Sequence, residues 1–448
     1  MTGRPGWTTH GGADPAEAER LYRRRVDAWC FYDWANSAFA TTVMAAILPI
    51  YFSAVAAKDL PPARATAIWG YTSSLSLALA ALLSPFVGAA ADLLGRRKAF
   101  LLVSAALGIL ATALLATVGE NEWRQASLFY VLAHVPFVVS FVCYDSLLPH
   151  IGRAGDLDRI STRGFALGYV GGGLLLLLNT VMVLSPSLFG LSSAASAMRA
   201  SFVTVSVWWA LFTIPLLRRV PEPPGGGGTR SLFSALRETV SRLAAALRDI
   251  RSHGEVWKFL IAFWLYGDGI GTIVKMATIY GSEVGIGRNH LIGALLLVQF
   301  TGIPFSFLFG RLAGRIGARA GILIGLGVYS VLSAGAFFLS EAWHFWLLAF
   351  FVGTVQGGTQ ALSRSFFASL TPADRSGEWF GFFSVSGRFA GIAGPLLFAL
   401  AGEWTGSSRY GALGVAFFFV AGGLLLLRVR ERPAAKSGAS GPAGARPA

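Results

Sequence analysis

Charge is scarce in this chain. Asp, Glu, Lys and Arg make up 13% of its 448 residues, about half the share of a soluble domain. That shortage excludes a protein whose whole surface faces water. Cysteine is scarcer: Cys30 and Cys143 are the only two, both inside apolar stretches. They offer no disulfide framework and no spaced metal set, and they read as small buried apolar side chains. The histidines (His10, His134, His150, His253, His290 and His344) fall mostly in loops or at helix ends, without metal-ligand spacing. No Gly-x-x-x-x-Gly-Lys-Ser/Thr loop occurs, which removes ATP drive within the chain. No Ser/His/Asp set or carboxylate pair stands out in the loops, which leave no room for a soluble catalytic domain. Neither an enzyme nor a cofactor is expected. Acidic residues are also few, 23 against 37 basic, for a net charge of +14. That balance would suit nucleic acid, but the basic residues avoid the apolar stretches and gather in alternate loops, so no nucleic-acid partner is expected.

What the chain has instead is apolar length. Hydrophobic residues are 54% of it, with 54 Gly, 34 Phe and 13 Trp, and its mean hydropathy is +0.58. Gly and aromatic residues in such number suit membrane helices that pack closely and anchor at the interfaces. About 20 apolar residues cross the hydrocarbon as a helix. Twelve such stretches are read, numbered here as spans 1 to 12: 28–53, 67–91, 99–118, 126–150, 162–184, 199–217, 256–280, 290–310, 320–340, 343–368, 377–401 and 409–428. The first 27 residues are polar and carry Arg23, Arg24 and Arg25. No short apolar core with a small-residue cleavage site follows, so span 1 is expected to stay as a helix.

With the N-terminus inside, 29 of the 37 Lys and Arg fall on the inner side and six on the outer, while Lys275 and Arg388 lie in spans. By the positive-inside rule both termini are cytoplasmic, in a cell inner membrane with the lipid bilayer as partner. The loop 219–255 divides the chain six plus six. The expected units are a cytoplasmic tail (1–27), an N-terminal six-helix bundle (28–218), a linker (219–255), a C-terminal bundle (256–430) and a disordered tail (431–448). The linker opens with Pro221, Pro223, Pro224 and Gly225 to Gly228, a flexible composition. Leu232, Leu236, Val240, Leu243, Leu247 and Ile250 then recur at helical spacing with arginines between them, an amphipathic helix for the cytoplasmic membrane face.

The halves echo each other. Phe31-Tyr32-Asp33 in span 1 answers Tyr266-Gly267-Asp268 in span 7, weak internal symmetry of the kind transporters show. Span 2 ends in Gly88-Ala-Ala-Ala-Asp92-Leu-Leu-Gly95-Arg96-Arg97-Lys98, and span 8 in Gly310-Arg-Leu-Ala-Gly314-Arg315-Ile-Gly317-Ala-Arg319. In the first copy Gly88 lets two helices touch, Gly95 permits a tight turn, and Asp92 suits an arginine or a neighbouring helix N-terminus. This loop resembles the signature loop of the major facilitator superfamily. The resemblance implies a latch between the halves, built on Gly88, Asp92, Gly95, Arg96 and Arg97. The second copy has Gly314 where the acidic residue would stand, so a weaker latch is expected there.

Further stretches narrow the resemblance: Tyr32-Asp33-Trp34-Ala35-Asn36-Ser37-Ala38-Phe39-Ala40, Arg163-Gly-Phe-Ala-Leu-Gly-Tyr169-Val-Gly171-Gly172-Gly173, Gln356-Gly-Gly-Thr-Gln360-Ala-Leu-Ser-Arg364-Ser-Phe, and Ser386-Gly387-Arg388-Phe-Ala-Gly-Ile-Ala-Gly394-Pro395. From span 1 to span 11 the chain resembles the vacuole-effluxer family of autophagy-related permeases and its bacterial members. That resemblance implies an all-α membrane protein with twelve transmembrane helices in two six-helix bundles. It also associates fungal members with amino-acid export from the vacuole.

Ionisable groups inside hydrocarbon need a partner or a water-filled cavity. Asp33, Asn36 and Ser37 share one face of span 1, and either line a cavity or form a structural hydrogen-bond network. Asp145 pairs, on this reading, with a loop residue such as Arg153 or Arg163. Asp268 lies roughly 18 Å into span 7 by the helix rise, among Gly267, Gly269 and Gly271. Those glycines would loosen the helix and let carbonyls face a ligand. Asp268 therefore contacts substrate or proton, or pairs with Arg388 in span 11. Gln299, Gln356 and Gln360 add neutral hydrogen bonding, on the path or as glue between helices. Lys275 is expected to snorkel outward, and Gly168, Gly171, Gly172 and Gly173 to allow close packing. Tyr169 and Asn179 are placed near the path.

The functional expectation is a monomeric secondary transporter working by alternating access. Its solute is small and polar, with an exported amino acid first, and its coupling ion is a proton. The pathway residues are Asp33, Asn36, Asp145, Asp268, Gln356, Gln360 and Arg388, with Asp268→Asn expected to abolish or uncouple transport. An efflux pump for drugs or amphipathic metabolites is the alternative and would favour a mostly apolar cavity. A non-transporting receptor or scaffold is the alternative of another class.

Overall fold

The computed structural model describes residues 15–153, 156–223, 232–371, 379, 382, 383, 387 and 390–430. Among them the chain is helical and has no strand. Within hydrocarbon no water pairs the backbone, so a span keeps its N–H and C=O groups satisfied by coiling. Among the described residues, nine helices are long and apolar enough to cross a membrane: Pro15–Ala56, Pro62–Ala91, Arg97–Thr117, Trp123–Ile151, Arg163–Leu184, Ala194–Arg219, Gly254–Glu283, Ala318–Ala336 and Arg409–Leu427. They fall on spans 1 to 7, 9 and 12. The helices Arg288–Ile316 and Ala342–Leu370 fall on spans 8 and 10, and Ala393–Thr405 is the second part of span 11. Leu107, Leu110, Val207, Val331 and Leu424 are exposed on the outside of the bundle, the side chains that hydrocarbon would cover.

Span 1 is not a uniform helix. It widens into π-helical stretches over Phe39–Ile47 and Phe52–Ala56, a geometry that recurs at functional sites. Spans 2 and 8 each end at a glycine with positive φ, Gly95 at 60° and Gly317 at 88°, where a side chain would strain the turn. The linker helix Leu232–Ser252 forms as expected. It packs on spans 2 and 7, buries Ile250 and leaves Phe233 exposed.

The two halves meet along spans 1, 2, 7 and 11. Trp69 Nε1 in span 2 donates to the Lys275 carbonyl in span 7 at 3.0 Å, and Ser74 Oγ donates to the Ile392 carbonyl at 2.8 Å. Thr278 Oγ1 donates to the Ala45 carbonyl at 2.7 Å, Ser282 Oγ to Ser53 Oγ at 3.0 Å, and Tyr71 OH to Glu403 at 2.6 Å. A Cβ on Gly70 would stand 2.4 Å from the Pro395 carbonyl oxygen, so only a glycine fits there. These contacts lie toward the membrane side opposite the one that bears Pro15 and Arg430. On the near side, the Arg364 guanidinium of span 10 lies 4.8 Å from the Phe165 ring of span 5.

The near-side loops are tied to the start of span 1. Arg153 pairs with Glu19 at 2.9 Å and Arg163 with Asp27 at 2.7 Å, while Tyr22 donates to Asp156 at 2.7 Å. Both arginines named as candidates for Asp145 thus clamp the start of span 1. In the latch loop, Arg97 contacts the Ser146 carbonyl at 3.4 Å and the His150 ring, and Glu222 accepts the Lys98 N–H at 3.0 Å. The Asp92 side chain lies outside the described residues. In the second copy, Arg319 donates to the carbonyls of Leu426, at 3.2 Å, and Leu427, closing the end of span 12.

Candidate functional site

A cavity of about 330 Å³ lies between spans 1 and 5 of the first half and the helices of the second. Its size falls at the lower end of small-molecule sites. The widened part of span 1 forms one wall through Ala40, Thr41, Met44 and Ala45. Span 5 reaches that wall because it carries no side chains where it crosses. A Cβ on Gly168 would stand 2.6 Å from Ser37 Oγ, one on Gly171 2.7 Å from the Trp34 carbonyl, and one on Gly172 2.9 Å from Thr41 Cγ2. The expected close packing is thus present at these three, while Gly173 meets nothing within 4 Å.

The cavity changes character along its length. Toward the near side, Gln356, Gln360, Gln299 and Tyr169 supply neutral hydrogen-bonding groups. Toward the far side, Leu339, Phe345, Leu348, Phe398 and Val415 leave it apolar. Among the described residues that line it, none carries a formal charge. Gln299 Nε2 and Ser333 Oγ are buried in its wall with no hydrogen-bond partner among the described residues.

Gln356 and Gln360 thus line the cavity, and among its described lining residues there is no acidic one. Asp33 is 6% exposed, and its Oδ2 accepts the Tyr144 hydroxyl at 2.8 Å. Trp29 stacks on Tyr144 at 4.2 Å between centroids, so Asp33 belongs to a knot of spans 1, 4 and 5. Its structural reading is the one that fits. Asn36 is wholly buried with neither amide atom partnered among the described residues, and it too stays off the cavity wall. Asp145 sits half-buried near the near-side end of span 4. Asn179 accepts Thr204 Oγ1 at 2.8 Å and ties span 5 to span 6, away from the path. Arg388 lies outside the described residues.

Asp268 has an unexpected task. Its carboxylate accepts the backbone N–H of Ala393 at 2.9 Å and of Gly394 at 2.7 Å, and Thr272 Oγ1 lies 3.3 Å from it. Gly391 just ahead has φ 105°. Span 11 is therefore broken, and Asp268 caps the N-terminus of its second part, where free N–H groups and the helix dipole favour an anion. The glycines around Asp268 do not loosen span 7, which is a continuous helix from Gly254 to Glu283. Gly267 and Gly271 instead leave room for Ala390 and Gly391, at 3.3 and 3.4 Å from the positions a Cβ would take.

Lys275 does not snorkel. It is 6% exposed, and its Nζ donates to the Gly391 carbonyl at 3.3 Å. Asp268 and Lys275, two turns apart on one helix face, thus hold both sides of the break. His134, inside span 4, is buried, with Nδ1 2.7 Å from Ser76 Oγ. Its ring stacks on Tyr130 at 5.2 Å, and Tyr130 meets Trp69 at 4.7 Å. Through the Trp69 bond to the Lys275 carbonyl, a continuous set of contacts crosses the seam from His134 to Lys275. Its position in the middle of span 4 was the available sequence signal.

The helices, the seam between halves and the central cavity define a multi-pass membrane transporter with the major facilitator fold. Solved structures agree on the fold. The partially occluded inward-open xylose transporter XylE from E. coli superposes with a TM-score of 0.66, covering 92% of this chain and 98% of that one at 15% identity. The nucleoside transporter NupG gives 0.63 over 91% and 98% at 13% identity. The chain belongs to the vacuole effluxer family described as Atg22 like, whose model matches residues 62–438. It is 34% identical to the uncharacterized MFS-type transporter YxiO of Bacillus subtilis, over 92% of this chain and 96% of that protein. It is 23% identical to the autophagy-related protein 22-1 of Penicillium rubens, over 89% and 88%.

Proposed function

We propose that the chain is a secondary active transporter that carries a small organic solute through the central cavity by alternating access, exporting it from the cell at the expense of a proton gradient. The observation that carries this reading is the position of the cavity, on the seam between halves, with hydrogen bonds closing that seam on the far side. Opening there and closing across Phe165 and Arg364 on the near side would move a solute across. The charge bias of the loops supports a cytoplasmic near side, in a cell inner membrane, for a chain acting as a monomer. Export is the direction that the family's description suggests, and amino acids are the solutes that the resemblance first suggests. Proton coupling rests on His134 and Lys275, buried ionisable groups joined across a seam that must part.

A reversible lock tests the mechanism. Ser53 and Ser282 face each other across the halves at 3.0 Å, and the native cysteines Cys30 and Cys143 are buried. In proteoliposomes, the Ser53→Cys, Ser282→Cys double variant should lose flux on oxidation and regain it on reduction. Equal flux in the cross-linked and reduced forms would end the alternating-access reading. Flux that ignores an imposed pH gradient would end proton coupling.

A further inference from the structure

We infer that the cargo is an uncharged amphipathic molecule, its hydrogen-bonding head held by Gln299, Gln356 and Gln360 and its apolar tail lodged in the far-side arm of the cavity. The inference rests on the proposed reading of that cavity as the solute site.

Span 10 shows the two ends most clearly. Gln356 and Gln360 line the head region, and Val352, Ala349, Leu348 and Phe345 line the arm beyond them. From Gln356 to Phe345 is roughly 16 Å by the helix rise, so the arm is long enough for an extended tail. A glutamine amide both donates and accepts, and it recognises amides, hydroxyls or carbonyls without needing a counter-charge. Gln299 Nε2, without a partner among the described residues, is a donor that a neutral acceptor on the cargo would satisfy.

A free amino acid fits this site poorly. Its ammonium and carboxylate would enter a low-dielectric space whose described lining has no charge, and unpaired ions there are costly. The helix N-terminus at the break in span 11 could have taken a carboxylate. The carboxylate of Asp268 already fills it at 2.7 and 2.9 Å. A compact polar solute would also leave the arm of Leu332, Leu339 and Phe345 unused, whereas a tail there gains free energy with every methylene buried.

The test uses the full-length protein in lipid nanodiscs and three probes: leucine, N-acetyl-leucinamide and N-octanoyl-leucinamide. The unfolding midpoint is followed as each is added, and each probe is then offered in proteoliposome counterflow. Both amides should raise the midpoint and leucine should not, with the octanoyl compound effective at about tenfold lower concentration or less. Gln360→Leu should weaken both amides about tenfold, the cost of a lost head contact. Ala349→Trp should erase the advantage of the octanoyl tail while keeping the acetyl response. Ala336→Phe makes the same test of the arm should that variant fail to fold. Leucine acting at lower concentration than either amide, or neither amide acting, would overturn the inference. If leucine exchanges and the amides do not, transport stands and this cargo class falls. If an amide binds in a Gln360-dependent way without exchanging, the cargo chemistry stands and transport falls.

Discussion

Asp268 in span 7 accepts the backbone N–H of Gly394 in span 11 at 2.7 Å. The bond joins a side chain deep in one membrane helix to the broken start of another. It makes Asp268 a cap before it is anything else. Replacing it with Ala leaves the N–H groups of Ala393 and Gly394 without acceptors, at about 1–3 kcal/mol for each buried group. Asp268→Ala should lower the unfolding midpoint clearly, and Asp268→Asn, which keeps one acceptor oxygen, should lower it less. Unchanged melting of Asp268→Ala would show that the cap does not hold the break.

Gly70 sets whether the far side can close. Any side chain there meets the Pro395 carbonyl, at 2.4 Å from the Cβ position. Gly70→Val should hold the seam open on the far side. A cysteine placed at Ser53 in that background should react faster with a membrane-impermeant thiol reagent added from the far side. Equal labelling in both backgrounds would contradict the closure described here.

Lys275 and His134 should separate coupling from carriage. Lys275→Met removes the ammonium and keeps most of the apolar stem. His134→Gln keeps a neutral partner for Ser76. Each variant should still exchange solute across a bilayer at equal pH and gain nothing from an imposed pH gradient. Gradient-driven accumulation equal to wild type in both would remove these residues from the coupling path.

Tyr144→Phe takes one donor from Asp33 and leaves the ring stack with Trp29. A hydrogen bond to a charged acceptor contributes about 1.5–3 kcal/mol, so a fall in melting temperature is expected, with the solute affinity unchanged. Weaker solute binding at unchanged stability would return Asp33 to the transport path.

The spans were legible because hydrocarbon imposes a length and a composition on every one of them. The turn at Gly95 was legible for a similar reason, since a glycine between two spans marks a tight reversal. The break in span 11 was harder to read. A carboxylate's partner can be a backbone N–H, and every residue but proline has one. The signal that existed was Gly394-Pro395, because proline is tolerated in the first turn of a helix. Lys275 shows a different limit. Its distance from the end of span 7 permits snorkelling, and only the packing of Trp69 and Gly391 around it decides against that. That the described lining of the cavity lacks charge was hidden for the same reason: Asp33 and Asp268 are written into the spans, but the fold turns them toward helix partners.

The capped break in span 11 also bears on how the molecule is made. Asp268 precedes the N–H groups it binds by 125 and 126 residues, so the acceptor has left the ribosome well before its donors exist. The nascent second part of span 11 should therefore settle beside a span 7 already in the bilayer, with its exposed amides satisfied on arrival. A chain lacking that carboxylate would present the same half-helix to lipid uncapped, and the error would fall on biogenesis before any solute was met.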